Sequence, residues 1–256
     1  MIQPRSTTAS LAALVALAVP AALATGCGED QASAVPLILE LTHAVGGTPL
    51  ALGTDTPYVN AAGNHFGVTR LSYFLSDVTV TMADGSSVIA HEGHLVDEET
   101  AATKRYRLPQ PGKAGALASV SLVIGLPPEL NGAGAYPQAP ESLMEWPEMM
   151  GGGYHFMKQE GRFLDAKGAP ANFMTHTGGL GGTDYSIPIT LDAKGLSIHE
   201  SGAVIQLTME LAEWYTHPTD WDFNLHTMGV MKDAAAQATL QANGADVFTL
   251  RAVTTP

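Results

Sequence analysis

Short runs of alternating or continuous apolar residues, separated by glycine and proline, recur along this chain. The 256 residues include 27 glycines and 16 prolines, and only 14% are charged, a balance typical of many turns between short strands. Regularly spaced short strands favour two packed sheets, so we predict an all-β fold, a β-sandwich of short antiparallel strands with long Gly/Pro-rich loops. The predicted strands are Val35–Leu41, two runs within Val68–Met82, Val88–Val96, Ala116–Ile124, Tyr154–Gln159, Phe173–Thr177, Tyr185–Leu191, Ala203–Met209 and Val247–Val253.

Three connecting segments have their own signatures. Residues 83–86 (Ala-Asp-Gly-Ser) predict a hairpin turn. The stretch Leu211–Asp220 is the best candidate for a helical turn. After Pro128 comes a region of about 25 residues rich in proline, glycine and alanine, and connections of that length in a domain are usually functional or disordered.

The first 26 residues predict a secretory signal peptide. Arg5 precedes an apolar run from Leu11 to Leu23, which is too short to span a bilayer and suits the core of a signal peptide. Small residues then lead to Cys27, the only cysteine, so we expect lipidation there, with an ordinary signal peptide as the alternative. Residues 1–26 are thus predicted as leader, 27–34 as a polar tether and 35–256 as one domain.

The charge balance excludes one class of partner. The formal net charge is −13, and removing Arg5 with the leader brings it to −14. Nucleic acid selects basic faces, so we expect no nucleic-acid partner. The sequence also has no serine nucleophile elbow, phosphate loop or dinucleotide fingerprint, so we expect a binding protein and not an enzyme.

Histidine and methionine are paired in three segments of a chain that holds nine histidines and ten methionines. The segments are His155–Met157, Met174–His176 and His226–Met228. Residues two apart on a strand share a face, so each pair is predicted to present imidazole and thioether together. This donor set favours Cu(I) over magnesium, calcium or manganese. The alternative is that the methionines fill a core and the histidines are simply hydrogen-bonded.

Several longer strings resemble one protein family, the methanobactin-associated periplasmic copper-binding proteins, or MbnP-like family. The similarity runs from about Leu37 to Val230, and its most specific part is Val-Thr-Arg-Leu-Ser-Tyr-Phe-Leu-Ser at residues 68–76. Other matching strings are Leu-Thr-His-Ala-Val-Gly-Gly-Thr-Pro-Leu at 41–50, Tyr-Val-Asn-Ala at 58–61, His-Leu-Val-Asp at 94–97, Ile-Gly-Leu-Pro at 124–127 and Tyr-His-Phe-Met-Lys-Gln-Glu-Gly at 154–161.

The resemblance implies a β-sandwich, export, and copper held partly by histidine. His43 and His155 fall in matching segments and His176 in the segment that follows that of His155, which makes these three the likeliest ligands by resemblance. The pairing pattern adds His226 and Met157 as candidate ligands. The resemblance also implies a dihaem peroxidase-like partner that can oxidise a tryptophan to kynurenine, which then helps to hold copper. Many relatives have Trp-x-Trp where this chain has Trp146-Pro147-Glu148, so Trp146 is the first candidate for modification and Trp214 the second.

These observations predict a copper-binding lipoprotein that holds or hands on copper outside the cytoplasm. We expect a periplasmic or outer-membrane location in a Gram-negative-type bacterium, with the membrane contacted through the lipid anchor. One alternative is a surface β-sandwich module that binds a protein or a glycan and has no metal role. Another is that the chain is mainly a substrate of a haem oxidase, with metal binding secondary.

Overall fold

The computed structural model describes residue 1, residues 33–227 and residues 229–256. The predicted leader and the lipidation candidate Cys27 therefore lie outside the described residues, apart from Met1. The described residues from 33 to 256 form one compact unit. Its strands are β1 (Leu37–Val45), β2 (Thr48–Pro49), β3 (Tyr58–Val59), β4 (His65–Met82), β5 (Ser87–Ala90), β6 (His94–Asp97), β7 (Arg105–Arg107), β8 (Gly115–Ile124), β9 (His155–Leu164), β10 (Pro170–Gly178), β11 (Ile187–Asp192), β12 (Ser197–Ile198), β13 (Ala203–Glu210) and β14 (Phe248–Thr254).

Among the described residues, the strands form two sheets. The smaller sheet has the order β14-β13-β1-β2, with β7 also paired to β1. The larger has the order β10-β9-β4-β8-β11, with β3, β5 and β6 paired to β4 and β12 paired to β8. This arrangement confirms the predicted all-β sandwich. One pairing differs from the predicted antiparallel arrangement: β1 and β13 run parallel.

The main core lies between the two sheets and is formed by the alternate side chains of each strand that point inward. It contains Leu37, Leu39 and Leu41 from β1, together with Ile205 and Leu207 from β13, and all five side chains are at most 2% exposed. The facing strands of the larger sheet contribute in the same way. Burying one such side chain stabilises the fold by about 1.5–3 kcal/mol.

The two strand-like runs predicted within residues 68–82 are one long strand with an irregularity. Asp77 has a left-handed φ of +48°, and the register of β4 on β8 shifts between Ser76 and Thr79. Such a β-bulge inserts extra backbone without ending the strand. The hairpin turn predicted at residues 83–86 is confirmed: Gly85 has a φ of +85°, and β4 pairs with β5 on either side of it.

The long segment between β8 and β9 covers the face of the larger sheet that points away from the main core. It contains two short 3₁₀ helices, Glu141–Met144 and Glu148–Met150. A second, smaller core lies beneath it, formed by Phe74, Leu95, Leu126, Met144, Tyr154 and Phe156. The predicted loop is therefore a folded segment that covers this second core.

The helical turn predicted within Leu211–Asp220 is confirmed as a 3₁₀ helix, Glu213–Tyr215. Helices that were not predicted are the 3₁₀ helices Ala101–Lys104, Val230–Lys232 and Gly244–Asp246 and one α-helix. The α-helix α1 spans Ala234–Asn243. Asp233 caps it, because its Oδ1 accepts hydrogen bonds from the backbone N–H groups of Ala235 and Ala236 at 2.9 and 3.1 Å.

Candidate metal centre

His155 on β9 and His176 on β10 lie edge to face. Their ring centroids are 5.0 Å apart, at an interplanar angle of 87°. Both residues are buried, at 5% and 8% exposure. A metal about 2 Å from a ring nitrogen lies about 3.2 Å from the ring centroid, so two imidazoles sharing one ion have centroids at most about 6.4 Å apart. The pair is within that limit.

A β-bulge brings the two rings to the same face. Met157 pairs with Thr177, whereas His155, two residues earlier, pairs with the very next residue of β10, Gly178. This register shift breaks the period-two alternation, so His155 lies on the face of His176. The face predicted to be shared by His155 and Met157 is therefore not found, and Met157 is fully buried in the main core.

Hydrogen bonding fixes which nitrogen of His155 is free. Nδ1 lies 2.9 Å from the carbonyl oxygen of Met144, which can only accept, so Nδ1 carries the hydrogen and Nε2 the lone pair. Burial, with a smaller contribution from the charge of Lys158, lowers the pKa of His155 from 6.5 to about 3. The imidazole is therefore neutral at physiological pH, the form in which histidine binds metals.

His176 is oriented by a carboxylate. Its Nε2 donates to Oε1 of Glu160 at 3.0 Å, which leaves Nδ1 as the nitrogen with a lone pair. The hydrogen bond from His176 holds the pKa of Glu160 below its ordinary value. A carboxylate or carbonyl on the second ring nitrogen is the usual arrangement around metal-binding histidines.

A residue of helix α1 forms hydrogen bonds with the backbone at the C-terminal end of β10. Gln237 is fully buried, and its Nε2 donates to the carbonyl oxygen of His176 at 2.9 Å. Its Oε1 accepts from the backbone N–H of Gly178 at 3.1 Å. Because β10 is an edge strand among the strands that the structure describes, these bonds satisfy backbone groups that lack a partner in a neighbouring strand there.

Trp146, in the long segment between β8 and β9, packs against His155. Its ring centroid is 4.7 Å from that of His155, and only 3% of the residue is exposed. A Cβ added to Gly178 would lie 2.7 Å from the indole, so glycine there permits the close approach. The indole Nε1 is buried and has no hydrogen-bond partner among the described residues.

Trp214, the second candidate for modification, lies elsewhere. It is fully buried in the main core, where a Cβ added to Gly244 would lie 2.7 Å from its ring. Its Nε1 also has no partner among the described residues, so an unpaired indole N–H does not distinguish Trp146 from Trp214 as a candidate for modification. The contact with His155 distinguishes them, because Trp146 makes it.

His43 lies in a different pocket, on β1 of the smaller sheet. Its Nδ1 is 2.5 Å from Oε2 of Glu98, and its Nε2 is hydrogen-bonded to the hydroxyl of Tyr73 at 2.9 Å. Burial alone would raise the pKa of Glu98, but hydrogen bonds from His43 and Lys104 lower it below its ordinary value. Both ring nitrogens of His43 are thus engaged, and among the described residues it shares no hydrogen-bond partner with His155 or His176.

The remaining candidate, His226, stacks on Trp221 with ring centroids 3.8 Å apart. Burial lowers its pKa from the ordinary value. Its predicted partner Met228 lies outside the described residues. In contrast, Met174 and His176 do share a face, as predicted, and both line one cavity.

Three residues around the pair were not predicted from the sequence: Glu160, Met150 and Met231. Glu160 reaches His176 through the pairing of β9 with β10, which no local spacing indicates. Met150 and Met231 line the cavity at His176 from 3₁₀ turns, so a search for alternating strand pairs passes over them. The sequence signal available for these two methionines was the high methionine count of the chain, ten in all, together with the glycines near them.

Within the described residues, no group of three or more histidine, cysteine, aspartate or glutamate side chains is placed to hold a metal. The donors at the candidate centre are therefore two imidazoles, with thioethers in the wall of the cavity beside His176. That set fits copper better than a hard, oxygen-seeking cation.

No helix in the described part of the chain is long and apolar enough to cross a membrane.

Comparison with known proteins gives two matches. The family model described as MbnP matches residues 34–243, most of the chain. Among solved structures, MbnP from Methylosinus trichosporium aligns with a TM-score of 0.53 at 12% identity, covering 85% of this chain and 98% of that one. At that identity the likeness concerns the fold alone. No curated protein sequence matches.

Proposed function

We propose that this chain, which belongs to the MbnP family of methanobactin-associated proteins, is a copper-binding protein that holds or hands on copper outside the cytoplasm. The observation that carries the proposal is the pair His155 and His176. Their rings are within reach of one ion, and each has one nitrogen held by an oxygen acceptor and the other free. The proposed role is binding, with no catalytic step.

Copper content tests this directly. We expect the mature protein, expressed with copper, to hold about one copper per chain, and His155→Asn or His176→Asn to lose most of it. His199→Asn is the matched control, because His199 is exposed and lies on neither β9 nor β10. Less than about a tenth of an equivalent in the wild type, with no change on replacing His176, would overturn the proposal.

His43 remains a predicted ligand at its own pocket. A metal there would have to displace Glu98 or Tyr73 from a ring nitrogen. His43→Asn therefore separates two cases. Unchanged copper content assigns the metal to the His155–His176 pair alone, whereas a loss of copper assigns metal to the His43 pocket as well.

Trp146 is the tryptophan we propose as the target of a dihaem peroxidase-like partner. That partner would use hydrogen peroxide as the oxidant, two equivalents cleaving the C2–C3 bond of the indole to give N-formylkynurenine and two molecules of water. Hydrolysis of the formyl group would then release the lost carbon as formate and leave kynurenine. The product carries an amine and a carbonyl beside His155, and either adds a donor to the two imidazoles. Intact-mass spectrometry of native material should show the change in wild type and in Trp214→Phe, and not in Trp146→Phe.

We also propose export and a lipid anchor on Cys27. Diacylation holds a protein at a membrane because each buried methylene contributes about 0.8 kcal/mol. Cys27→Ser should move the protein from the membrane fraction to the soluble periplasmic fraction. If the wild type is itself found in the soluble periplasmic fraction, the proposal of a lipid anchor is wrong, whereas the proposal of export still holds.

The alternative of a surface module without a metal role is separated by titration with Cu(I) under reducing conditions. The metal proposal predicts saturation that depends on His155. The alternative predicts no saturable binding.

A further inference from the structure

A cavity of about 450 Å³ opens beside His176, and among the described residues three methionines line it. They come from three separate parts of the fold: Met150 from a 3₁₀ turn of the long segment, Met174 from β10, and Met231 from the 3₁₀ turn before α1. The other lining residues are Gly229, Val230, Lys232 and His176 itself. The wall is mainly apolar, so thioether sulfur is the predominant metal donor in it.

The methionines are not core residues. Met174 is 46% exposed, and Met150 and Met231 are half-buried. By contrast, Met82, Met144, Met157 and Met209 are each at most 4% exposed and fill the interior. Flexible thioethers at an accessible wall are typical of surfaces that bind soft or variable partners.

We propose that Met150, Met174 and Met231 form a Cu(I) entry site that passes the ion to His176. This rests on the proposed copper function and adds to it an oxidation state and a route. Thioether is a soft ligand that selects Cu(I) and disfavours hard cations. His176 belongs both to this cavity and to the histidine pair, so an ion held by the methionines is already beside its next ligand.

Transfer by ligand exchange needs no redox partner. Cu(I) would leave a thioether sulfur as the Nδ1 lone pair of His176 binds it, and neither step changes the oxidation state. Within the part of the wall that the structure describes, Lys232 is the one lysine or arginine. It is exposed, so its ammonium can stay in water while its stem contributes to the lining.

The test uses the mature protein labelled with ¹³C at the methionine methyl groups. Ag(I), a redox-inert soft ion, is titrated and the methyl resonances are followed; Cu(I) loading is then timed under anaerobic reducing conditions. We expect the methyl resonances of Met150, Met174 and Met231 to shift within the first equivalent, while those of buried Met157 and Met209 stay fixed.

The triple variant M150L/M174L/M231L should lose the shifts and load Cu(I) at least about fivefold more slowly, because a neighbouring first site raises the effective concentration of the ion at the second. Methionine-to-leucine changes conserve volume and cost less than about 1.5 kcal/mol each. Met149→Leu is the matched control: Met149 is 84% exposed, adjacent in sequence, and not part of the wall. It should behave as wild type.

The outcomes separate the two proposals. Copper that binds through His155, with unmoved methyl resonances and an unchanged loading rate in the triple variant, would overturn the entry site and leave the proposed function intact. Methyl shifts without any effect of His155→Asn on copper content would support the methionine site and overturn the histidine one. Methyl shifts and slow loading of the triple variant, together with loss of copper in His155→Asn, support both.

Discussion

Replacing His155 by asparagine removes an ionisable group while keeping a donor for the Met144 carbonyl, since the amide nitrogen of asparagine takes the place of Nδ1. Burial holds the pKa of the folded-state imidazole at about 3, against 6.5 ordinarily. Between those two pH values the unfolded chain binds a proton that the folded chain does not. His155 therefore lowers the free energy of unfolding as the pH falls through 6.5, and the loss levels off near pH 3.

The size of the effect follows from the two pKa values. Between pH 7 and pH 5, this single histidine should lower the free energy of unfolding by about 2 kcal/mol. His155→Asn cannot bind that proton in either state. The copper-free variant should therefore lose about 2 kcal/mol less than the wild type over this pH range.

Urea unfolding of both proteins at pH 7, 6 and 5, with a chelator present, measures the difference. The other ionisable groups contribute to both proteins and cancel. His199→Asn, at an exposed position, is the control and should follow the wild type. Parallel pH dependence of wild type and His155→Asn, within about 0.5 kcal/mol, would refute the neutral, desolvated imidazole on which the metal site depends.

Three further substitutions test other parts of the structure. Gly178→Ala would place a Cβ 2.7 Å from the Trp146 ring, so we expect a loss of about 1–3 kcal/mol in unfolding free energy and a red shift of tryptophan fluorescence. Gly132→Ala, where an added Cβ meets nothing within 4 Å, is its control. Asp233→Ala removes the cap of α1 and should lower the urea midpoint, at a cost of about 1 kcal/mol. Glu98→Gln should destabilise the fold by about 1–3 kcal/mol with copper content unchanged, and a loss of copper would instead tie its pocket to the metal.

The sandwich could be predicted because its signals are local. Alternating runs separated by glycine and proline indicate short strands, and the turn at Gly85 carries the residue that its positive φ requires. The α-helix was missed although it too has a local signal. Asp233 precedes an alanine-rich run, and aspartate is a strong N-cap.

The candidate metal centre could be predicted only in part. The segments containing His155 and His176 were identified, but the strand alternation assigned His155 to the face of Met157. The bulge opposite Gly178 reverses that assignment, and it arises from the pairing of two strands, which a single strand's sequence does not specify. The contact of Trp146 with His155 likewise depends on how a long segment folds back over the sheet.

The most direct test of the proposed function is the position of the metal. Crystals of the copper-loaded protein, measured on both sides of the copper absorption edge, locate the ion independently of any assumed ligand. We predict one anomalous peak within bonding distance of Nε2 of His155 and Nδ1 of His176, beside Trp146 or its oxidised product. A peak in the pocket of His43 and Glu98 with none at the His155–His176 pair, or no peak in a protein shown to be loaded, would contradict the proposed site.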